Sequence, residues 1–197
     1  LGIRNVLCLT GDGVQAGDHK EAKPVFDLES VQIIQVVESL NSGKDMAGND
    51  LKGTTSLFAG AVVTPESSPI EPQLMKFEKK VRAGARFFQT QAVYDAENFK
   101  DFMKFARQFD TKVMAGLVLL TSAGRANYMN KFVTCVKVPQ HLIERLKAAG
   151  KEKAIDTGID IMCELINEVK DICDGVHIMA IGKEELVPEI VKRAGLA

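Results

Sequence analysis

Residues 87–120 read FFQTQAVYDAENFKDFMKFARQFDTKVMAGLVLL: a strand, a helix and a second strand in one unbroken stretch. Its two ends, residues 87–93 and 112–120, are short and almost continuously apolar, the pattern of strands covered on both faces. Asp95 stands where a helix N-cap belongs, and Phe99, Phe102, Met103, Ala106 and Phe109 then recur at intervals of three and four, making one apolar stripe. Two covered strands joined by a helix of this length require a parallel crossover.

Working outward, the same alternation repeats. Strand-like runs occupy residues 5–10, 57–63 and 176–181. Val31, Ile34, Val37 and Leu40 line one helix that ends near Gly43. Leu74, Phe77 and Val81 line another, for which Ser68, Pro69 and Glu71 supply an N-cap, a first-turn proline and a capping-box acid. A short helix near residues 122–131, a second over 139–149, a long one carrying Ile155, Ile159, Met162, Ile166 and Val169, and a last near 185–194 complete the chain. Five strand–helix units fit an open doubly wound sheet directly and a closed eight-stranded barrel as a portion of it. No Gly-x-Gly-x-x-Gly follows any strand, which removes the best support for a dinucleotide-binding open sheet.

The composition is that of an ordinary globular chain: 197 residues, 46% hydrophobic, 26% charged, formal net charge −1. With Lys and Arg spread among Asp and Glu, no overall field recruits nucleic acid or an anionic membrane, and no apolar run approaches the ~20 residues of a membrane helix. Cys8, Cys135, Cys163 and Cys173 lie far apart without metal-ligand spacing, and we read them as buried thiols in a reducing, cytoplasmic compartment. The chain opens on Leu1 and enters a strand within a few residues, from which we expect a longer protein.

In parallel α/β proteins the chemistry collects at the carboxyl ends of the strands. There stand Thr10-Gly11-Asp12-Gly13, Val63-Thr64-Pro65-Glu66, Gln89-Thr90-Gln91, Leu119-Leu120-Thr121-Ser122 and Ile181-Gly182-Lys183. The first opens a stretch without helical periodicity through Asp27, and a loop of that length in a compact domain is usually functional. Asp12 reads either as a carboxylate beside a cofactor ring or as half of an Asp-Gly turn. Gln89 and Gln91 share one face of an otherwise apolar strand and need polar partners, from the protein or from a ligand amide edge. Lys76, Lys79 and Lys80 form a patch at helical spacing, read as a solvated face or as a phosphate site. His177, in the last strand, reads as a core histidine, and no His/Cys/Asp/Glu grouping has metal spacing.

The order of Gly2-Ile3-Arg4-Asn5 entering Leu9-Thr10-Gly11-Asp12, Gly17-Asp18-His19, Lys23-Pro24-Val25-Phe26-Asp27-Leu28, the run from Asp45 to Gly53, Lys80-Val81-Arg82-Ala83-Gly84-Ala85 leading to Gln89-Thr90-Gln91, and Val138-Pro139 resembles the methylenetetrahydrofolate reductase family, in the forms of anaerobic one-carbon metabolism. The resemblance covers nearly the whole chain. It implies an α/β fold of the (β/α)8 TIM-barrel type, present here as a C-terminal portion of about five βα units, strands four to eight, with residues 1–197 forming part of a single flavin-binding domain. It implies bound FAD, with FMN as the other possibility, and NAD(P)H or a protein electron donor as reductant. The activity implied is reduction of 5,10-methylenetetrahydrofolate to 5-methyltetrahydrofolate by hydride transfer through the flavin.

Residue by residue, the resemblance places Thr10, Gly11 and Asp12 against the flavin, with Asp12 stabilising positive charge on the folate iminium. Gln91 meets the folate and nicotinamide, Lys79 and Lys80 meet the phosphate-bearing tail, and Asp12 and Gln91 carry catalysis. At the fifth-strand end, where many members have Tyr and His, Gly60 and Thr64 stand, so flavin contact there falls to the backbone. At the eighth-strand end Lys183 stands in for an arginine that meets the folate glutamate tail. The family's general-acid glutamate follows the first barrel strand, outside this chain, and for that reason we expect the chain alone to be inactive. Partners implied are the folate substrate and a homo-oligomer or a complex with an electron-transfer or methyl-transfer subunit. The reading from a different class is a catalytically silent flavin- or pterin-binding subunit docked to such a partner.

Overall fold

The computed structural model describes residues 2–11 and 13–196. Hydrogen bonding orders five strands β1-β2-β3-β4-β5: β1 Asn5–Cys8, β2 Phe58–Val63, β3 Phe87–Ala92, β4 Lys112–Val118 and β5 Gly175–Met179. Helices alternate with them: α1 Ser30–Asn41, α2 Glu71–Arg82, α3 Ala96–Ala106, α4 Ala123–Phe132, α5 Gln140–Val169 and α6 Val187–Arg193. The sheet is parallel and the chain is built of βα units, the construction of part of a (β/α)8 barrel. Two compact units are distinguished, residues 1–62 with 75–88, and residues 63–74 with 89–197.

In the first unit β1 and β2 pair in parallel from Asn5↔Phe58 to Cys8↔Ala61. Asn41 at the end of α1 substitutes for a ladder partner where the chain enters β2. Its Nδ2 donates to the Leu57 carbonyl at 2.8 Å, and its Oδ1 accepts from the Leu57 N–H at 2.8 Å and from the Thr55 hydroxyl at 2.6 Å. Phe77 of α2 packs on Phe88 with ring centroids 4.1 Å apart, and both rings are fully buried together with Ile34 of α1.

In the second unit β4 and β5 pair in parallel from Met114↔Gly175 to Val118↔Met179. Asp174 fixes the start of that pair: its carboxylate accepts from the Val113 N–H at 2.9 Å, from Arg107 at 2.7 Å and from Lys112 at 3.3 Å. Asp95 caps α3 by accepting from the N–H groups of Glu97 and Asn98, as its position in the sequence required. Phe99, Leu117, Leu119, Ile143, Ile159 and Met162 form the core. Gly150, at φ 70° and ψ 173°, breaks α5 into the two helices the sequence marks on either side of it.

The strand runs expected from apolar continuity lie within two residues of those formed. The start of α2 differs. Ser68, Pro69 and Ile70 remain in the loop and the helix begins at Glu71, so that acid sits in the first turn itself. His177 is half-buried rather than core, because β5 is half-exposed along its length. Cys8 and Cys163 are buried as expected and Cys173 is half-buried, but Cys135 is exposed, in a turn with φ 62°. Among the described residues no metal-ligating group of three exists, and no helix is long and apolar enough to cross a membrane.

Candidate functional site

In the first unit, the residues expected to meet the flavin divide by location. Thr10 and Gly11 follow β1 and are exposed, and a Cβ added at Gly11 meets nothing within 4 Å. Asp12 lies outside the described residues. Lys79 points into solvent, whereas Lys80 is half-buried and its Nζ donates to the Val62 carbonyl, near the carboxyl end of β2, at 2.7 Å. Burial lowers the Lys80 pKa, the neighbouring Lys76 lowers it further, and Glu29 opposes both. Lys80 is thus a cation held at a strand end with part of its hydration removed. The exposed Thr10-Gly11 step leaves its backbone open to a ligand, and the Lys80 amine is a donor that a phosphate group could take.

Gly60 has a different surrounding from the backbone contact expected of it. The space its missing side chain leaves is filled by the Phe87 ring, whose atoms lie 2.1–2.4 Å from an added Cβ. That ring stacks on Phe58 at 5.6 Å and 6° between planes. The exposed surface at this point is therefore aromatic, and sequence reading missed it because a glycine and an aromatic 27 residues apart carry no local signal.

In the second unit half-buried Gln89 and Gln91 share one face of β3 and alternate with buried Thr90 and Ala92. The Gln91 Oε1 accepts from the Ala92 N–H at 3.1 Å, and among the described residues its Nε2 has no partner. Gln91 lines a cavity of about 660 Å³ at the carboxyl ends of β3, β4 and β5, together with Thr121, Ser122, Arg125, Tyr128, Met179 and Ile181. That volume lies within the usual range for small-molecule pockets. Ile181 is held at φ 44°, a conformation that β-branched residues rarely adopt, directly after the strand end.

Two polar ties fix the backbone behind Gln91. The Thr90 hydroxyl, 3% exposed as a residue, accepts from the Gly116 N–H and donates to the Gln91 carbonyl, both at 2.8 Å. A Cβ on Gly116 would stand 2.2 Å from the Thr90 carbonyl oxygen, so β3 and β4 approach as they do only because residue 116 is glycine. Beyond the strand, the Glu66 carboxylate accepts from the N–H groups of Tyr94 and Asp95 at 2.6 and 2.8 Å. Burial raises the Glu66 pKa, these two N–H groups pull it down by less, and the Asp95 charge adds to the rise. The buried Tyr94 hydroxyl donates to the Val118 carbonyl at 3.1 Å, and its own pKa is pushed up by burial and then by Glu66.

Thr64, expected at the flavin, is half-buried just after β2 and belongs to the second unit. Lys183 follows β5 and is ion-paired with Glu185 at 3.5 Å. Arg125 was not singled out by sequence, since one arginine in an amphipathic helix looks like any surface cation.

The methylenetetrahydrofolate reductase family matches residues 1–195. Methylenetetrahydrofolate reductase 2 of Schizosaccharomyces pombe is 26% identical over 99% of this chain and 32% of its own length. A probable methylenetetrahydrofolate reductase (NADPH) of Caenorhabditis elegans is 22% identical over 100% of this chain and 29% of its own. The chain therefore spans about a third of the length of the curated relatives it matches. Among solved structures, an uncharacterized protein from Clostridium thermocellum that binds two copies of 5-methyl-5,6,7,8-tetrahydrofolic acid superimposes with a TM-score of 0.52 at 18% identity, covering 72% of this chain and 54% of that one, a likeness of fold. On the match along almost its whole length, the chain belongs to the methylenetetrahydrofolate reductase family.

Proposed function

We propose that this chain is the carboxyl-terminal portion of a single flavin-binding barrel domain that reduces 5,10-methylenetetrahydrofolate to 5-methyltetrahydrofolate. The observation that carries the reading is the cavity at the ends of β3, β4 and β5, with the Gln91 amide on its wall, in a chain of this family. A flavin, FAD or FMN, supplies the hydride when bound, and NAD(P)H or a protein donor replenishes it.

The chain's own residues bind, orient and hold charge. Lys79 and Lys80 take the phosphate oxygens, and Thr10, Gly11 and the Phe87 ring that covers Gly60 lie along the flavin; Thr64 is the residue placed by resemblance at the flavin. The Gln91 Nε2 donates to a carbonyl oxygen of the pterin or the nicotinamide, its Oε1 being occupied by the Ala92 N–H. The Asp12 carboxylate stabilises the positive charge of the folate iminium, an effect of a few kcal/mol for a preorganised charge in a water-poor site. Lys183 is the residue placed by resemblance at the folate glutamate tail. The general acid comes from the part of the barrel before β1. We place the reaction in a cytoplasmic setting, in a homo-oligomer or with an electron- or methyl-transfer subunit.

The test is to isolate the intact protein, release and identify its flavin after denaturation, and assay conversion of 5,10-methylenetetrahydrofolate under a chemical reductant. Bound flavin and accumulating 5-methyltetrahydrofolate support the reading, and absence of both ends it. A silent binding subunit is the second reading. Pterin binding without turnover in the intact protein identifies it.

A further inference from the structure

Just past Gln91, the Val93 N–H donates to the Gly116 carbonyl of β4 at 2.8 Å. The next two N–H groups, of Tyr94 and Asp95, go to a side chain instead: both donate to Glu66 Oε1, at 2.6 and 2.8 Å. The start of α3 does not require this, because the Asp95 carboxylate already accepts from the N–H groups of Glu97 and Asn98. What Glu66 holds is the link between strand and helix. Tyr94 is fixed at its other end as well. It is 4% exposed, and its hydroxyl donates at 3.1 Å to the carbonyl of Val118, a residue on the wall of the Gln91 cavity. The Gln91 amide in turn leans on this backbone, since its Oε1 accepts from the Ala92 N–H. A side chain bonded to its own strand inherits its direction from the peptides that follow it, here residues 92–95.

We propose that Glu66 is a positioning residue for the reaction: by fixing Tyr94 and Asp95 it sets the backbone against which the Gln91 amide leans, and so the direction in which Nε2 meets the substrate. The proposal rests on the reductase reading of the Gln91 cavity and deepens it. Glu66 lines a separate cavity, with Ser67, Leu74, Asp95 and Phe102, so it acts through the backbone rather than by touching the substrate. Orientation is worth this attention because a misplacement of about 1 Å at a reacting site costs as much as ~100-fold in rate. A carboxylate that only stabilises the turn predicts something different, since its loss weakens the protein without regard to Gln91.

The test is a double-mutant cycle on the intact protein, read as kcat/KM for 5,10-methylenetetrahydrofolate under a chemical reductant, well below the melting midpoint of every variant. Glu66→Ala should lower kcat/KM by about 10-fold with flavin content unchanged, and Glu66→Gln, which keeps an oxygen for both N–H groups, should restore most of the activity. In the Gln91→Ala background the same Glu66→Ala change should alter kcat/KM by no more than about twofold, because the group it positions is gone. Equal losses in the two backgrounds, a Glu66→Ala protein as active as wild type, or a Glu66→Gln protein no better than Glu66→Ala would each overturn the proposal. If Glu66→Ala does not fold, Glu66→Asp, one methylene too short to reach both N–H groups, takes its place in the cycle with the same expectations. A wild type without turnover ends the reductase reading and this assignment with it, an outcome separable from equal losses in an active enzyme.

Discussion

The Thr90 hydroxyl accepts the Gly116 N–H at 2.8 Å, so a side chain of β3 occupies the place where a strand carbonyl would ordinarily complete the ladder to β4. The same hydroxyl donates to the carbonyl of Gln91, which couples the backbone of the cavity residue to this tie. Replacing Thr90 by the isosteric Val keeps the packing and strands a buried N–H, which costs about 1–3 kcal/mol. We expect Thr90→Val to lower the thermal midpoint accordingly and to weaken pterin binding through Gln91. Unchanged melting and binding would show that the Gly116 N–H finds another acceptor.

Glu66 gives a prediction with a sign. Its pKa is raised above the ordinary glutamate value of 4.5 by burial, so its stabilising contribution is fully present below that value and is lost as pH rises through the folded-state pKa. Glu66→Gln keeps an oxygen for the Tyr94 and Asp95 N–H groups and removes the buried charge. The melting temperature of Glu66→Gln relative to wild type should therefore rise as pH increases from below 4.5 through the folded-state pKa. Glu66→Ala, which strands both donors, should be less stable than wild type across the range by about 1–3 kcal/mol. A glutamine variant that loses ground as pH rises would contradict the burial argument.

Much of the fold was legible because its decisive features are local. Continuous apolar runs at residues 87–93 and 112–120 become β3 and β4, Asp95 caps α3 as expected, and the two helices expected on either side of residue 150 part there. The runs overshoot the strands at Thr10, Leu120 and Ile181 because those residues stay apolar or β-branched after leaving the ladder, at the turns toward the site. What was not legible is long-range. The Glu66 bonds to Tyr94 and Asp95 span 28 and 29 residues, the Phe87 ring over Gly60 spans 27, and neither leaves a trace in periodicity. The Arg125 guanidinium has no hydrogen bond or ion pair among the described residues, which requires coordinates to see.

Lys80 offers a check on the phosphate assignment. Lys80→Met preserves the buried stem and removes the amine that meets the Val62 carbonyl. We expect flavin affinity to fall by about 10-fold, the scale of one charge-assisted hydrogen bond, while pterin binding is retained. Riboflavin, which has no phosphate, should bind the variant and wild type equally. A riboflavin affinity that falls in parallel would place Lys80 elsewhere than at the phosphate.

Gln91 separates orientation from charge. Gln91→Ala removes the amide that faces the cavity and should reduce kcat/KM for 5,10-methylenetetrahydrofolate by about 10- to 100-fold, with flavin content unchanged. Gln91→Glu keeps size and acceptor but loses the donor, and should resemble Ala. Recovery of activity in Gln91→Glu would mean that the side chain accepts rather than donates.

The central claim, that these strand ends serve hydride delivery to a folate, is tested most directly by mixing the intact, anaerobically reduced protein with 5,10-methylenetetrahydrofolate in a stopped-flow spectrometer and following the flavin's visible absorbance. The account predicts that the oxidised flavin spectrum returns within the turnover time, with one 5-methyltetrahydrofolate formed per flavin reoxidised. A protein that binds flavin and pterin yet stays reduced through many such intervals would contradict it.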